Sequence, residues 1–329
     1  MYKLFESSWR DDAVVLDKAK GIYTDPSLVR EINHKGKYYT VPGPHICQPS
    51  PQRTPLLLQA GTSKAGKTFA AQHAEAIFVG GHSPSTIVKN IAEVRALAKE
   101  FGRKPEDVKF LAMICPIIGK TEEEAKAKYD EYAKYASTDG ALALFGGWTG
   151  IDLDVYGDDE ELRHVQSNAI RYVFLQPLHI LFLPNADVRD RSAVEAWSKS
   201  LPGVPKWTKA TVAKHLSIGG LGATVVGTPS QVADEFERWV KEADVDGFNI
   251  AYALKPQTFV DVIELLLPEL RKRGLFWDDY AVPGGTYREN FYQRKGQSGP
   301  LPEHVGSSYR WKAGVEKEDA AIPKEPEEK

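Results

Sequence analysis

From Leu56 onward, short apolar runs alternate with segments of helical periodicity, and that alternation restricts the fold more than anything else in the chain. Leu56 to Gln59 reads as a strand, followed by a helix over roughly 64 to 74. Ala76 to Val79 is a second strand, and Pro84 to Phe101 a long helix with Ile87, Ile91, Val94 and Leu97 on one face. Val108 to Ile114 is a third strand. Thr121 then caps a helix with Glu122, Glu123 and Glu124 in its first turn, where carboxylates suit the dipole. Thr228, Pro229 and Gln231 form a capping box ahead of a helix whose apolar face is Val232, Phe236, Trp239 and Val240. Asp246 to Ala251 is the fourth strand, and Thr258 to Arg273 a helix ended by Gly274. Strand then helix, repeated four times, implies parallel pairing with right-handed crossovers. The fold class is therefore α/β, of the (β/α)8 TIM-barrel type. A closed barrel needs eight strands, so the four units of residues 55–275 are expected to make only its C-terminal half.

The rest of the chain is less regular. Residues 1–54 hold one turn signal, Asp25-Pro26, and a short extended piece from His34 to Pro44. Residues 137–205 break the alternation with Gly, Asp and Pro, and a helix near Thr208 to Leu216 follows. Within that excursion Tyr172 to Pro184 is apolar, but it is too short to span a bilayer and Pro177 interrupts it. Residues 293–329 are rich in Gly, Pro, Lys and Glu and read as a disordered polar tail, which leaves 1–292 as the folded domain.

Bulk properties exclude several classes of function. A formal net charge of -3 leaves no basic footprint for nucleic acid. Cys47 and Cys115 follow no metal spacing and fit a reducing, cytoplasmic setting better than a disulfide scaffold. The first residues do not form a signal peptide. No metal constellation, catalytic triad or Rossmann glycine fingerprint is present in the sequence.

The chemistry-bearing segment is Pro55-Leu-Leu-Leu-Gln-Ala-Gly-Thr-Ser-Lys-Ala-Gly66. A strand breaks at Gly61 into two hydroxyls, Thr62 and Ser63, and a helix starts. Such a turn aims backbone N–H groups, hydroxyls and a helix N-terminus at one point, which suits a phosphate. The plainer reading is that Ser63 caps the helix; both stand at this point.

Six segments, in order, carry a resemblance: Trp9-Arg-Asp-Asp-Ala, His34-Lys-Gly-Lys-Tyr-Tyr, Gln59-Ala-Gly-Thr-Ser-Lys-Ala-Gly, Val226-Gly-Thr-Pro, Asp246-Gly-Phe-Asn and Pro268-Glu-Leu-Arg-Lys-Arg-Gly-Leu-Phe. Together they resemble the bacterial-luciferase-like flavin monooxygenases, in the branch of nitrilotriacetate monooxygenase component A and the dibenzothiophene-sulfone monooxygenases. The resemblance covers most of residues 4–290 apart from roughly 150–215. It implies a (β/α)8 barrel and reduced FMN supplied by a separate NAD(P)H:flavin reductase. It also implies a small organic substrate oxygenated with O2. By the same resemblance Ser63, with Thr62 and Gly61 beside it, contributes to binding the flavin phosphate. Family members carry a long segment ahead of the counterpart of Trp9, holding the first four strands and most flavin contacts, so the N-terminal part of the barrel is expected to be missing. The family pattern also reads continuously if Arg171 is joined to Ser192, which makes about 172–191 an atypical insertion resembling translated intron.

Two functions follow. The first is a reduced-FMN-dependent two-component monooxygenase. The alternative is a truncated, inactive barrel fragment acting through association with another chain; exposed strand edges would favour self-association. No catalytic residue is identified. His34 is read as a solvated loop histidine, Asn249 as a hydrogen-bonding residue near a strand end, Arg288 as a surface ion pair or a group closing over the site, and Cys115 as core.

Overall fold

The protein is described by a computed structural model covering residues 1–61, 63–162, 206–317 and 322. Segment 172–191 and Thr62 lie outside the described residues. Two antiparallel hairpins come first: β1 (Val14–Asp17) with β2 (Ile22–Thr24), and β3 (His34–Lys35) with β4 (Thr40–Val41). Asp25 makes the expected turn by accepting from the Ser27 amide at 2.9 Å.

Next come β5 (Leu58–Ala60), α1 (Lys64–His73), β6 (Ala76–Val79), α2 (Pro84–Glu100), β7 (Lys109–Ile118), α3 (Glu122–Ala133), α4 (Thr138–Thr149) and α5 (Lys209–Leu216). The order continues with β8 (Ala223–Gly227), α6 (Pro229–Ala243) and β9 (Gly247–Ile250). The last five strands form one parallel sheet: β5, β6, β7 and β8 in that order, with β9 also paired to β7. β7 serves three neighbours because it is long. Its residues 109–112 meet β6, 111–114 meet β9 and 114–118 meet β8.

Four of these strands match the sequence pattern. Ala223–Gly227 is a fifth, where the pattern showed only a lead-in to a helix. Its close approach to β7 depends on Gly222, where an added Cβ would lie 2.7 Å from the Met113 carbonyl oxygen. α4 is also an addition, inside a stretch that reads as irregular. Three glycines dilute its apolar pattern, but Ser137 caps it by accepting from the Gly140 amide at 3.0 Å. Ala141 and Phe145 bury one face.

The helix after β9 is not continuous. It comprises α7 (Gln257–Asp261), one π-helical turn (Val262–Leu266) and α8 (Leu267–Lys272). Pro268 offers no N–H to the preceding turn, which widens to accommodate it. α9 (Tyr287–Tyr292) closes the order of longer elements.

Successive side chains along each strand point to opposite faces of the sheet. Ile77 and Val79, Phe110, Ala112 and Ile114, and Phe248 and Ile250 face the helices and join Ile87, Ile91, Val94, Phe236 and Trp239 in the main core. Each fully buried Ile, Val or Phe among them contributes roughly 1.5–3 kcal/mol by leaving water. The opposite face carries Leu58, Phe78, Leu111, Met113, Val226 and Asn249. There Leu58 is 42% exposed and Val226 39%. A second core gathers Phe145, Ile151, Leu153, Tyr156, Trp207, Val212 and Leu216 from the excursion.

Residues 293–317 are not a disordered tail. Leu301 and Trp311 are buried. The Trp311 amide donates to the Glu6 carbonyl at 3.0 Å, and Ser7 Oγ donates to the Tyr309 carbonyl at 2.6 Å. Arg310 bonds Glu6 and Asp11, and the Arg30 guanidinium lies 4.3 Å over the Trp311 ring. Composition missed this because the partners are the first residues of the chain, some three hundred positions away. Among the described residues no helix is long and apolar enough to cross a membrane.

Candidate functional site

Gly61 and Ser63 follow β5 directly, at the end of the sheet where Gly80 follows β6 and Gly119 follows β7. This is the C-terminal end of parallel strands, where crossover folds present their binding residues. Gly61 has φ +101°, a conformation that favours glycine, and a Cβ there would meet nothing within 4 Å, so the backbone is open to approach.

Ser63 is the N-cap of α1, and its Oγ accepts from the Gly66 amide at 3.2 Å. The capping reading is thus observed. It leaves the phosphate reading open, because the bond uses an oxygen lone pair and the hydroxyl hydrogen stays available as a donor. By helix geometry the amides of Lys64 and Ala65 have no intrahelical acceptor, and both residues are exposed. Two amides, one hydroxyl and the positive end of a ten-residue helix therefore share one turn. Lys64, a cation in that first turn, forms no ion pair among the described residues. The sequence reading did not single it out.

The remaining expected residues fall elsewhere. His34 pairs with Val41 in the β3–β4 hairpin, half-buried, with Lys3 Nζ 3.5 Å from its Nδ1. Asn249 pairs with Met113 in the ladder and stands exposed on the sheet face turned away from the helices. Cys115 is core: burial pushes its thiol up to about 11, far from a reactive thiolate. Cys47 is exposed and free.

Arg288 is neither a surface ion pair nor a lid. It is fully buried, and its Nε and Nη2 each lie 2.8 Å from a Glu75 carboxylate oxygen. It also donates to the carbonyls of Thr54, Pro55 and Ser298 at 2.9, 2.9 and 2.7 Å. Glu75 precedes β6, so this clamp sits at the N-terminal ends of the strands, opposite Ser63. A cavity lined by Phe5, Trp9, His45, Arg53 and Pro55 is likewise at the entry side of β5.

One group at the C-terminal end went unnoticed in sequence. His82, just past β6, is buried against Trp207, with ring centroids 5.0 Å apart. His215 of α5 meets the same Trp207 edge-on at 5.4 Å, and burial pushes its pKa below the usual histidine range. The excursion is thereby seated on the end of the sheet that carries Ser63. Its residues are far apart in sequence, and no local spacing announces them.

Comparison with known proteins places the chain as a whole among relatives. A family model described as luciferase-like monooxygenase matches residues 15–247. The long-chain alkane monooxygenase of Geobacillus thermodenitrificans is 42% identical over 309 residues, covering 94% of this chain and 60% of the relative. The dimethyl-sulfide monooxygenase of Hyphomicrobium sulfonivorans is 42% identical over 326 residues, covering 99% of this chain and 63% of the relative. Nitrilotriacetate monooxygenase component A of Aminobacter aminovorans is 30% identical, covering 88% and 59%. The crystal structure of DmoA from Hyphomicrobium sulfonivorans superposes with a TM-score of 0.80 at 41% identity, over 99% of this chain and 64% of that one. The chain thus spans roughly three-fifths of the length of these relatives.

Proposed function

The chain belongs to the luciferase-like monooxygenase family, and on that premise we propose that it is the flavin-binding component of a two-component monooxygenase. A separate NAD(P)H:flavin reductase provides reduced FMN, and the substrate is a small organic molecule. The observation that carries the proposal is the Gly61–Ser63 turn. Its oxygen lone pair is engaged by Gly66, and among the described residues its hydroxyl hydrogen and the amides of Lys64 and Ala65 beside it have no partner.

In this reading Ser63 and the amides of Lys64 and Ala65 hold the FMN phosphate, with Thr62 as a further hydroxyl, and Gly61 lets the ligand approach the backbone. Bound reduced FMN supplies the electrons that leave one atom of O2 in the substrate and the other in water. The chain's own task is to orient and to keep water out. Leu58, Phe78, Leu111, Met113 and Val226, on the sheet face away from the helices, supply an apolar wall for that purpose. Such a wall favours an uncharged substrate, in line with the alkane and dimethyl-sulfide named for the two relatives. The parallel sheet supplies five of the eight strands of a closed wall. Two free cysteines suit a reducing compartment such as the cytoplasm.

The test is FMN titration followed by flavin fluorescence, then turnover with a flavin reductase, NADH, 18O2 and dimethyl sulfide or an alkane. Oxygen-18 in the product supports the proposal; no FMN binding and no label would end it. A second reading, an inactive fragment that works by joining another polypeptide, draws on the 42% exposure of Leu58 and 39% of Val226 on the open sheet face. It expects self-association and no turnover.

A further inference from the structure

Gln59 lies in β5 on the helix-facing side of the sheet, where its neighbours in the main core are apolar. Its Nε2 donates to the Gly66 carbonyl of α1 at 3.0 Å. That carbonyl lies inside a helix running to His73 and already has an acceptor role toward Ala70 by helix geometry. The Gln59 bond is therefore a tether and does not rescue an orphaned backbone group. The tether also has a cost: Gln59 Oε1 is buried with no hydrogen-bond partner among the described residues. Leu or Met at this position would avoid that cost.

The tether acts on one residue, and that residue acts on the turn. Gly66, held through its carbonyl by Gln59, holds Ser63 Oγ through its amide. Packing around it is tight. A Cβ on Gly66 would lie 3.0 Å from Ser63 Oγ, 3.4 Å from the Gly61 carbonyl oxygen and 3.6 Å from Gln59 Nε2. Strand, first helical turn and Ser63 are thus locked in series.

We propose that Gln59 is a positioning residue for the anion-binding turn, fixing through Gly66 where the Ser63 hydroxyl and the Lys64 and Ala65 amides stand. It touches no ligand itself. This rests on the phosphate reading of the turn, and the experiment separates the two. Amide hydrogen exchange at Gly66 is measured by NMR on the whole chain, alongside FMN titration, for wild type, Gln59→Met, Gln59→Glu and Ser63→Ala.

Gln59→Met is expected to speed exchange at Gly66 roughly tenfold, the scale of one lost hydrogen bond. It should weaken FMN severalfold while leaving exchange in Val232–Trp239 of α6 unchanged. Gln59→Glu should resemble Gln59→Met at neutral pH and recover at acid pH, where the protonated carboxyl again donates to the Gly66 carbonyl. A variant that merely left a packing defect would show no such recovery. Unchanged Gly66 exchange in Gln59→Met, or faster exchange with FMN affinity intact, overturns the role of Gln59. Unchanged FMN affinity in Ser63→Ala, or no FMN binding by wild type, removes the phosphate from this turn, and Gly66 exchange still decides whether Gln59 sets its geometry.

Discussion

Arg288→Met should be among the most destabilising single changes available in this chain. The guanidinium is fully buried against a Glu75 carboxylate that is itself only 1% exposed. Besides two 2.8 Å bonds to Glu75, it satisfies the Thr54, Pro55 and Ser298 carbonyls within 2.9 Å. Glu75 in turn accepts from the Leu57 amide at 3.0 Å, just ahead of β5. Removing one partner of such a pair leaves a buried charge uncompensated, at about 3–5 kcal/mol. Against a total stability of roughly 5–15 kcal/mol, that is enough to unfold part of the population. Arg288→Lys keeps the charge but cannot span the fork of acceptors, and should cost about 2 kcal/mol. Glu75→Gln combined with Arg288→Met should cost less than the sum of the two singles by about 2 kcal/mol, because the stranded carboxylate is gone. Urea unfolding followed by tryptophan fluorescence and circular dichroism measures wild type, Arg288→Met, Arg288→Lys, Glu75→Gln and the double variant. A loss below about 1 kcal/mol for Arg288→Met, or additive singles, would refute the argument that this pair clamps the C-terminal segment to β5 and β6.

The other predictions concern separate parts of the molecule. Burial pushes His73 down to about 4, and His304 is also lowered by burial. Both rings are therefore neutral in the fold near neutral pH; the His73 contribution to stability is full above 6.5 and lost as pH falls toward about 4, and His304, lowered by its own burial, adds to the loss in the same direction. Unfolding free energy measured across that range should fall, and it should fall less in His304→Asn, which can still accept from the Gly306 amide; an identical slope in the variant would contradict this. Ser63→Ala should cost about 1 kcal/mol of stability through the lost cap, and about 1–2 kcal/mol of FMN affinity through the lost donor, read by denaturation and by flavin fluorescence. Gly119→Ala should be severe, because its Cβ would lie 2.2 Å from the Ala125 amide nitrogen, whereas Gly147→Ala, with nothing within 4 Å, should be neutral or mildly stabilising. Thermal denaturation of the two would decide, and equal melting temperatures would count against the packing argument.

Local signals served well where the physics is local. Ser63, Thr121, Thr208 and Thr228 each cap a helix through a bond to the amide three residues on, and the Thr228–Gln231 capping box is formed as its sequence implies. The strands around Ile77, Phe110 and Phe248 were legible because one apolar face recurs every second residue. The six ordered segments were enough to indicate the family, to which the chain belongs.

The sequence therefore determined the parallel βα order, most helix starts and the turn at Gly61–Ser63, all set by contacts a few residues apart. The tertiary structure alone decided the rest. β8 becomes a strand because Gly222 lets it lie against Met113. Residues 293–317 become ordered because the first dozen residues give them hydrogen bonds and a buried seam. Arg288, which reads as an ordinary surface cation, is drawn into the interior by a carboxylate 213 positions away. A helical cap or an alternating strand is written in neighbouring residues, but the desolvation of a charge depends on what surrounds it once the chain has closed. That cannot be read from position 288 alone.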